Sequence, residues 1–347
     1  MVPVKTGLAS FGMSGMVFHA PLISTNKGFY LTSILERSKS LSRERYPDSK
    51  IVRRFDDLCK DKNIELIIVN TPDNTHYNLT KKALQAGKHV VVEKPFTLKY
   101  SEAMRLSELA DKKGLVLSVF HNRRWDGDFM TVKKVISENL LGRIVTYEAH
   151  FDRYRNFIQA GTWKEDHLTG TGTLFNLGSH LIDQALDLFG KPEYITADIR
   201  AQRTGSKIDD SFEIWFGYPD VRVILSGGYL VKEPGPRFTL HGTEGSFLKW
   251  GTDPQEEDLK RGRLPGEENW GEESSESWGL LHTVTNGISS SVKYKTVPGN
   301  YSAYYNDLFN AIRTGSSLAV TAEQAAFVIK IGEAAFRSME KRKSVKI

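Results

Sequence analysis

Two short runs, IELIIVN (residues 64–70) and KHVVVEK (88–94), are almost wholly apolar instead of alternating. A strand with one wet face alternates, so unbroken runs of this length mark strands covered on both faces, as in a parallel sheet layered between helices. The surrounding text fits. Strand candidates at Val4–Ala9, Tyr30–Leu35, Glu65–Asn70, Lys88–Val92 and Leu115–Val119 are separated by stretches of helical spacing. Thr75–Ala86 is closed by Gly87, and Ser101–Lys113 by Gly114, the residue that a helix end most readily accepts. Strand, helix, strand with short connections implies parallel strands and right-handed crossovers.

After about residue 122 the pattern changes. Phe129–Asn139 and Leu174–Phe189 read as helices and Thr146–Phe151 as a strand. Ile195–Arg203, Ser211–Tyr218, Val221–Tyr229, Arg237–Gly242 and Ser246–Trp250 follow as consecutive strands. Strands without intervening helices argue for a mostly antiparallel sheet. Asp253–Ser277, rich in Glu, Gly, Pro and Asn, reads as a long surface loop, and Ala303–Arg313 and Thr321–Lys341 as two last helices. The expected organisation is α/β: a doubly wound parallel domain over residues 1–122, then an α/β domain over 123–347 with a large open, mostly antiparallel sheet. An uncovered sheet would favour pairing with another copy, as a dimer or tetramer.

With 347 residues, 39% of them hydrophobic, the chain can bury a sizeable core. No stretch approaches the roughly 18 apolar residues of a membrane span, and the start, MVPVKTGLASFG, lacks the marks of a secretory signal. A single cysteine, Cys59, forms neither an internal disulfide nor a cysteine-based metal site, and no His/Asp/Glu spacing matches a metal site. The cytoplasm is the expected compartment. Lys+Arg 47 against Asp+Glu 42 leaves +5. That excess is small for a nucleic-acid binder and suits a phosphate-bearing cofactor.

The first strand runs into Gly7-Leu-Ala-Ser10-Phe11-Gly12-Met13-Ser14-Gly15. A dinucleotide fingerprint G-x-G-x-x-G would fall on residues 10, 12 and 15, with serine in the first place. Gly12 would let the backbone approach a pyrophosphate, and Gly15 would let the helix pack close to the strand. The second strand ends at Leu35-Glu36-Arg37-Ser38-Lys39. Glu36 is placed to hydrogen-bond ribose hydroxyls, which points toward NAD, while Arg37 and its neighbours leave NADP open.

Strand five runs into Val92-Glu93-Lys94-Pro95. AGKHVVVEKP resembles the signature of the Gfo/Idh/MocA family, the glucose–fructose oxidoreductase and inositol dehydrogenase group. Phe18-His19-Ala20-Pro21, Thr71-Pro72-x-x-Thr75-His76, His121-Asn122-Arg123-Arg124-Trp125-Asp126 and Gly178-Ser179-His180-Leu181-Ile182-Asp183 extend the resemblance over the chain, toward the scyllo-inositol dehydrogenase-like branch. The resemblance implies NAD- or NADP-dependent hydride transfer on a sugar or cyclitol. It implies Lys94 and His180 as catalytic residues, with Asn176 where the family usually has Asp. It implies a cofactor held by Ser10, Phe11, Gly12, Met13, Ser14, Gly15, Glu36, Arg37, Thr71, Pro72, Asn74, His76, Glu93, Lys94 and Asn122. It implies a polyol or sugar substrate met by Lys94, Arg123, Trp125, Tyr154, Trp163, Asn176 and His180. His167 is a further candidate.

The chemistry of these residue types agrees. A histidine takes and returns a proton near neutrality, and a lysine stabilises negative charge developing on an alcohol oxygen. Asn176, on the same helix face as His180, Asp183, Gln184 and Asp187, can orient a ring or a hydroxyl but holds no charge. Ser10 and Asn176 also keep open a second reading, a cofactor-binding sensor or scaffold with weak or no turnover.

Overall fold

The computed structural model describes residues 1–162, 165–166, 170–285 and 287–347. Its strands, in chain order, are β1 Val4–Leu8, β2 Phe29–Leu35, β3 Lys50–Val52, β4 Leu66–Val69, β5 His89–Val92, β6 Leu117–Val119, β7 Ile144–Asp152, β8 Tyr194–Arg200, β9 Ser211–Gly217, β10 Arg222–Gly228, β11 Phe238–Gly242, β12 Gly245–Lys249, β13 Gly279–Thr285, β14 Ile288–Tyr294 and β15 Val345–Lys346. The α-helices are α1 Ala20–Ser24, α2 Ser42–Arg45, α3 Phe55–Lys60, α4 His76–Gln85, α5 Tyr100–Lys113, α6 Gly127–Ser137, α7 Ser179–Phe189, α8 Gln255–Lys260, α9 Ser302–Thr314 and α10 Ala322–Lys341. No helix among the described residues is long and apolar enough to cross a membrane.

By contacts the chain falls into two compact units, residues 1–125 with 254–270 and 300–327, and residues 126–253 with 271–299 and 328–347. The first crossing lies close to the boundary expected at residue 122, but two later stretches return to the first unit. Pro254–Trp270 is one of them, and it is not the surface loop expected there. It carries α8, in which Gln255, Asp258 and Leu259 are buried.

The first unit holds a six-stranded sheet in the order β3-β2-β1-β4-β5-β6. Its pairings among the described residues are all parallel. The apolar runs are its centre: all of β4 is buried, and so are Val90, Val91 and Val92 of β5. The order reverses between β1 and β4, and in open parallel sheets the crevice outside the carboxyl ends at such a switch point takes the ligand. The loops after β1, β4 and β5, which carry the fingerprint, Thr71-Pro72 and Glu93-Lys94, all leave from those ends.

The second unit holds a nine-stranded sheet in the order β14-β13-β12-β11-β7-β10-β9-β8-β15. Among the described residues only β7 and β10 pair in parallel there; the other pairs are antiparallel. One face is covered by the helix carrying His180, which packs on β7 and β10. Its inward residues, among them Tyr147, Ala149, Leu225, Ile214 and Phe216, are buried.

Candidate functional site

The chain turns after β1 and is helical from residue 13 to residue 24, with Gly15–His19 in π-helical form. Single π turns inside helices recur at functional sites because they re-aim the groups around them. Ser10 does what the first fingerprint glycine would do by another route: its Oγ accepts the Gly12 N–H at 3.2 Å, closing the turn. Gly15 is forced by space. A Cβ there would stand 2.3 Å from the Ser10 carbonyl oxygen and 3.0 Å from Asn70 Nδ2. Gly12 is exposed, and a Cβ on it would meet only Ser10 Oγ, at 3.5 Å. A tight turn, an open backbone at residue 12 and a helix start pressed against the strand make up the cradle a dinucleotide pyrophosphate requires. Within the cradle Met13 is exposed, whereas Phe11 is buried edge-on against the Tyr46 ring. Phe11 therefore anchors the loop from behind.

Glu36 departs from its expected role. It is only 6% exposed, and its carboxylate is occupied. Oε1 accepts the Ser42 N–H (3.0 Å) and the Ser42 hydroxyl (2.6 Å), and Oε2 accepts the Leu41 N–H (2.8 Å). Burial pushes its pKa up, but these bonds and the Arg53 charge prevail and hold it below the ordinary carboxyl value. Arg53 donates to the carbonyls of Glu36 and Lys39 and to Ser40 Oγ, fixing the same loop from the next strand. The loop presents Arg37, Ser38, Lys39 and Ser40 to solvent.

After β4, the Thr71 and Thr75 hydroxyls bond each other at 2.6 Å, and Pro72 and Asn74 are exposed. His76 is fully buried, with Nδ1 2.8 Å from the Pro95 oxygen and Nε2 2.9 Å from the Thr71 oxygen. It staples the turn after β4 to the EKP segment and offers no free edge to a ligand, unlike the role the resemblance gave it. Glu93 accepts the Ser14 hydroxyl at 2.7 Å, the His19 Nε2 at 3.0 Å and the Lys94 backbone N–H at 3.1 Å. Its pKa is pushed up by burial but brought down overall to about 2 by His19, Ser14 and the Lys94 charge, so it is an anion throughout the working range.

Two residues expected at the substrate also hold the chain together, Arg123 by its side chain and Trp125 mainly by its backbone. Arg123 Nη2 donates to Glu256 Oε2 at 2.6 Å, and the Trp125 carbonyl accepts Gln255 Nε2 and the Asn300 N–H, with the indole edge-on to Tyr304. Asn122 is buried in the same short turn. These contacts fasten the two late returns of the chain onto the first unit.

In the second unit Asn176 lies half-buried in a π-helical stretch, Leu174–Gly178, which runs straight into α7. His180, 5% exposed, is in the first turn of α7, with its ring 6.3 Å from that of Phe151. Asp183 and Gln184 are buried too, so the polar stripe faces protein and not water. The helix start is capped from elsewhere: Asp209 Oδ2 accepts the Leu174 N–H (2.8 Å) and the Thr173 hydroxyl (3.0 Å). Tyr154 is half-exposed beneath the Lys232 ammonium. Trp163 and His167 lie outside the described residues. The segment leading to them is tied down by Arg203, which pairs with Asp210 and Glu165 and donates to the Phe157 oxygen. Neither Asp209 nor Arg203 figured among the expected residues; their signal is spatial. Among the described residues no group of His, Cys, Asp and Glu could hold a metal ion.

Residues 4–121 match the model of the oxidoreductase family's NAD-binding Rossmann fold, and residues 133–347 that of its C-terminal alpha/beta domain. The chain belongs to the Gfo/Idh/MocA oxidoreductase family. It is similar to the scyllo-inositol 2-dehydrogenase (NADP(+)) of Bacillus subtilis, with 42% identity over 99% of this chain and 95% of that protein. A solved oxidoreductase of Bacteroides fragilis is 50% identical, with a TM-score of 0.93 over 99% of this chain and all of that one. An oxidoreductase structure from Bacillus subtilis reaches a TM-score of 0.96 at 41% identity, over 99% of this chain and 98% of that one. This member of the family is an NAD(P)-dependent oxidoreductase acting on CH–OH groups.

Proposed function

We propose that the protein is an NADP-dependent dehydrogenase or reductase acting on a secondary alcohol or ketone of a sugar or cyclitol. The observation that carries the cofactor half is the occupied carboxylate of Glu36. An acid that discriminates for NAD must offer its oxygens to the ribose and repel a 2′-phosphate. Here those oxygens are spent on Leu41 and Ser42. What faces solvent is basic: residues 37–54 carry seven Lys or Arg against two Asp or Glu, 7 − 2 = +5, equal to the excess of the whole chain, 47 − 42 = +5. Arg37 and Lys39 would meet the 2′-phosphate, and the similar Bacillus subtilis enzyme is named as NADP-dependent.

Bound there, the nicotinamide supplies the hydride acceptor or donor. Gly12 and Gly15 seat the pyrophosphate. Lys94, with its backbone fixed by Glu93, stabilises negative charge on the reacting oxygen, and His180 takes or returns the hydroxyl proton. Asn176 orients the His180 ring or a substrate hydroxyl, and Tyr154 and Trp163 are proposed contacts for the polyol. The open face of the nine-stranded sheet is proposed to pair with a second copy.

The test is a titration with NADPH and NADH followed by a polyol panel read at the nicotinamide absorbance. Wild type should bind NADPH the more tightly. Arg37→Ala with Lys39→Ala should remove that preference at least tenfold while leaving NADH affinity nearly unchanged. Tighter NADH binding in wild type would return the site to NAD. Lys94→Ala and His180→Ala should each lower turnover by about 10² to 10⁴-fold with cofactor affinity kept, and near-normal rates in either would remove that residue from the mechanism. Binding without turnover across the panel would favour a sensor.

A further inference from the structure

Glu93 is held by more than its neighbours in sequence. His19, fully buried in the π-helical stretch after the glycine-rich loop, reaches it with Nε2 and has its other ring nitrogen, Nδ1, 2.6 Å from the hydroxyl of Tyr305. Tyr305 lies on α9, 286 residues further along the chain and part of the same compact unit. An ionised Glu93 only accepts, so Nε2 carries the proton of that bond, while Nδ1 and the Tyr305 hydroxyl, each able to donate or accept, share the other. The row thus runs tyrosine hydroxyl, imidazole, carboxylate without a break. The Tyr305 hydroxyl, buried and raised well above the ordinary tyrosine value, stays protonated within it. The His19 ring is wedged in place, 4.5 Å from the Phe120 ring and edge-on to that of Tyr305.

At the far end of the row the same carboxylate grips two parts of the site. Oε1 holds Ser14 of the glycine-rich loop, and Oε2 holds the backbone N–H of Lys94. We propose that His19 and Tyr305 are positioning residues, which through Glu93 keep the glycine-rich loop and Lys94 in a single register. A polar row of this kind is costly to bury in an aromatic cluster unless every member is satisfied, and here the row ends at the site and not in the core. The inference rests on the proposed function for the role of Lys94, but its first test does not.

That test is hydrogen exchange of the free protein over residues 10–16 and 93–96. His19→Asn keeps an amide near Nδ1, toward Tyr305, and cannot reach Glu93; His19→Gln sets an amide nitrogen where Nε2 stands. His19→Asn should speed exchange in both segments about tenfold or more, His19→Gln should restore protection, and Tyr305→Phe, which deletes only a hydroxyl, should give a smaller change of the same sign. In the loaded enzyme, His19→Asn should weaken NADPH binding and lower kcat by about tenfold each, with His19→Gln recovering both. Equal behaviour of the Asn and Gln variants in exchange, whether both normal or both loosened, would reduce His19 to a packing residue and overturn the proposal. A wild type that binds neither dinucleotide while the exchange contrast holds would overturn the proposed function and leave the positioning row standing.

Discussion

Glu93 and Glu256 show how single carboxylates tie sequence to site. Glu256 is pushed up by burial, but the Arg123 charge and Lys260 bring it down to about 2, as His19 and Ser14 do for Glu93. A carboxyl that titrates lower folded than unfolded adds stability that is complete above its unfolded value, near 4.5, and is lost as pH falls toward 2. Acid unfolding should therefore steepen between about pH 4.5 and 2. Glu256→Gln should flatten that limb and lower stability at pH 7 by about 1–3 kcal/mol, checked by urea titration at several pH values. An unchanged limb would mean that other carboxylates govern acid unfolding. At this scale the sequence was legible where one residue type serves one local need. Gly12 and Gly15 lie in and just beyond the turn after β1, and Glu93-Lys94-Pro95 directly after β5, as the strand pattern indicated. The bonds of Glu36 were half-legible, since their donors lie only five and six residues on but depend on a turn no periodicity reveals. The His19 to Tyr305 contact was not legible, because nothing in a sequence relates residues 286 apart.

Among the elements, the helix that presents His180 depends on a cap lent by another segment. Gly172 precedes it with φ near 103°, a conformation L side chains rarely adopt, and a Cβ there would stand 1.9 Å from Asp209 Oδ1. Asp209→Ala should cost about 1–2 kcal/mol, the usual range for a lost N-cap, and lower Tm by a few degrees. Burial raises the Asp209 pKa above its ordinary value against the bonds from Leu174 and Thr173, so its ionisation opposes folding at neutral pH. Asp209→Asn should accordingly hold or raise Tm, and a fall as large as that of the Ala variant would show that the charge itself matters. Gly172→Ala should be the worst of the three. Strands and helices with strong periods were readable, and so were the helix stops at Gly87 and Gly114, both at positive φ. β3 carries no period, being three residues at a sheet edge. α8 carries none either, because Gln-Glu-Glu-Asp-Leu-Lys is polar and its helicity is decided in packing within the first unit.

For the molecule as a whole, the register of the second sheet decides what its outer face offers. Following paired residues from strand to strand gives one row, Thr196, Trp215, Ile224, Glu148, Thr239, Leu248, Leu280 and Lys293, across eight of the nine strands. Period two puts this row opposite the buried face that carries Tyr147, Leu225 and Phe216. Trp215 is 48% exposed and Leu280 37%, with Ile224 and Leu248 half-buried between them. Two apolar pairs in one row, Trp215 with Ile224 and Leu248 with Leu280, leave a surface that a second copy related by a two-fold axis could cover with the same row, Glu148 and Lys293 offering it opposite charges. The sequence foretold an open sheet but not this row, because alternation gives a strand's two faces and not which residues of distant strands stand side by side. Sedimentation should show wild type at a multiple of 39.1 kDa. Trp215→Glu with Leu280→Glu would place two charges in the row, and should bring the mass down to a single chain with the secondary structure kept. A wild type already sedimenting as one chain would mean the row is covered by nothing, and a double variant that keeps its mass would move the interface to another surface.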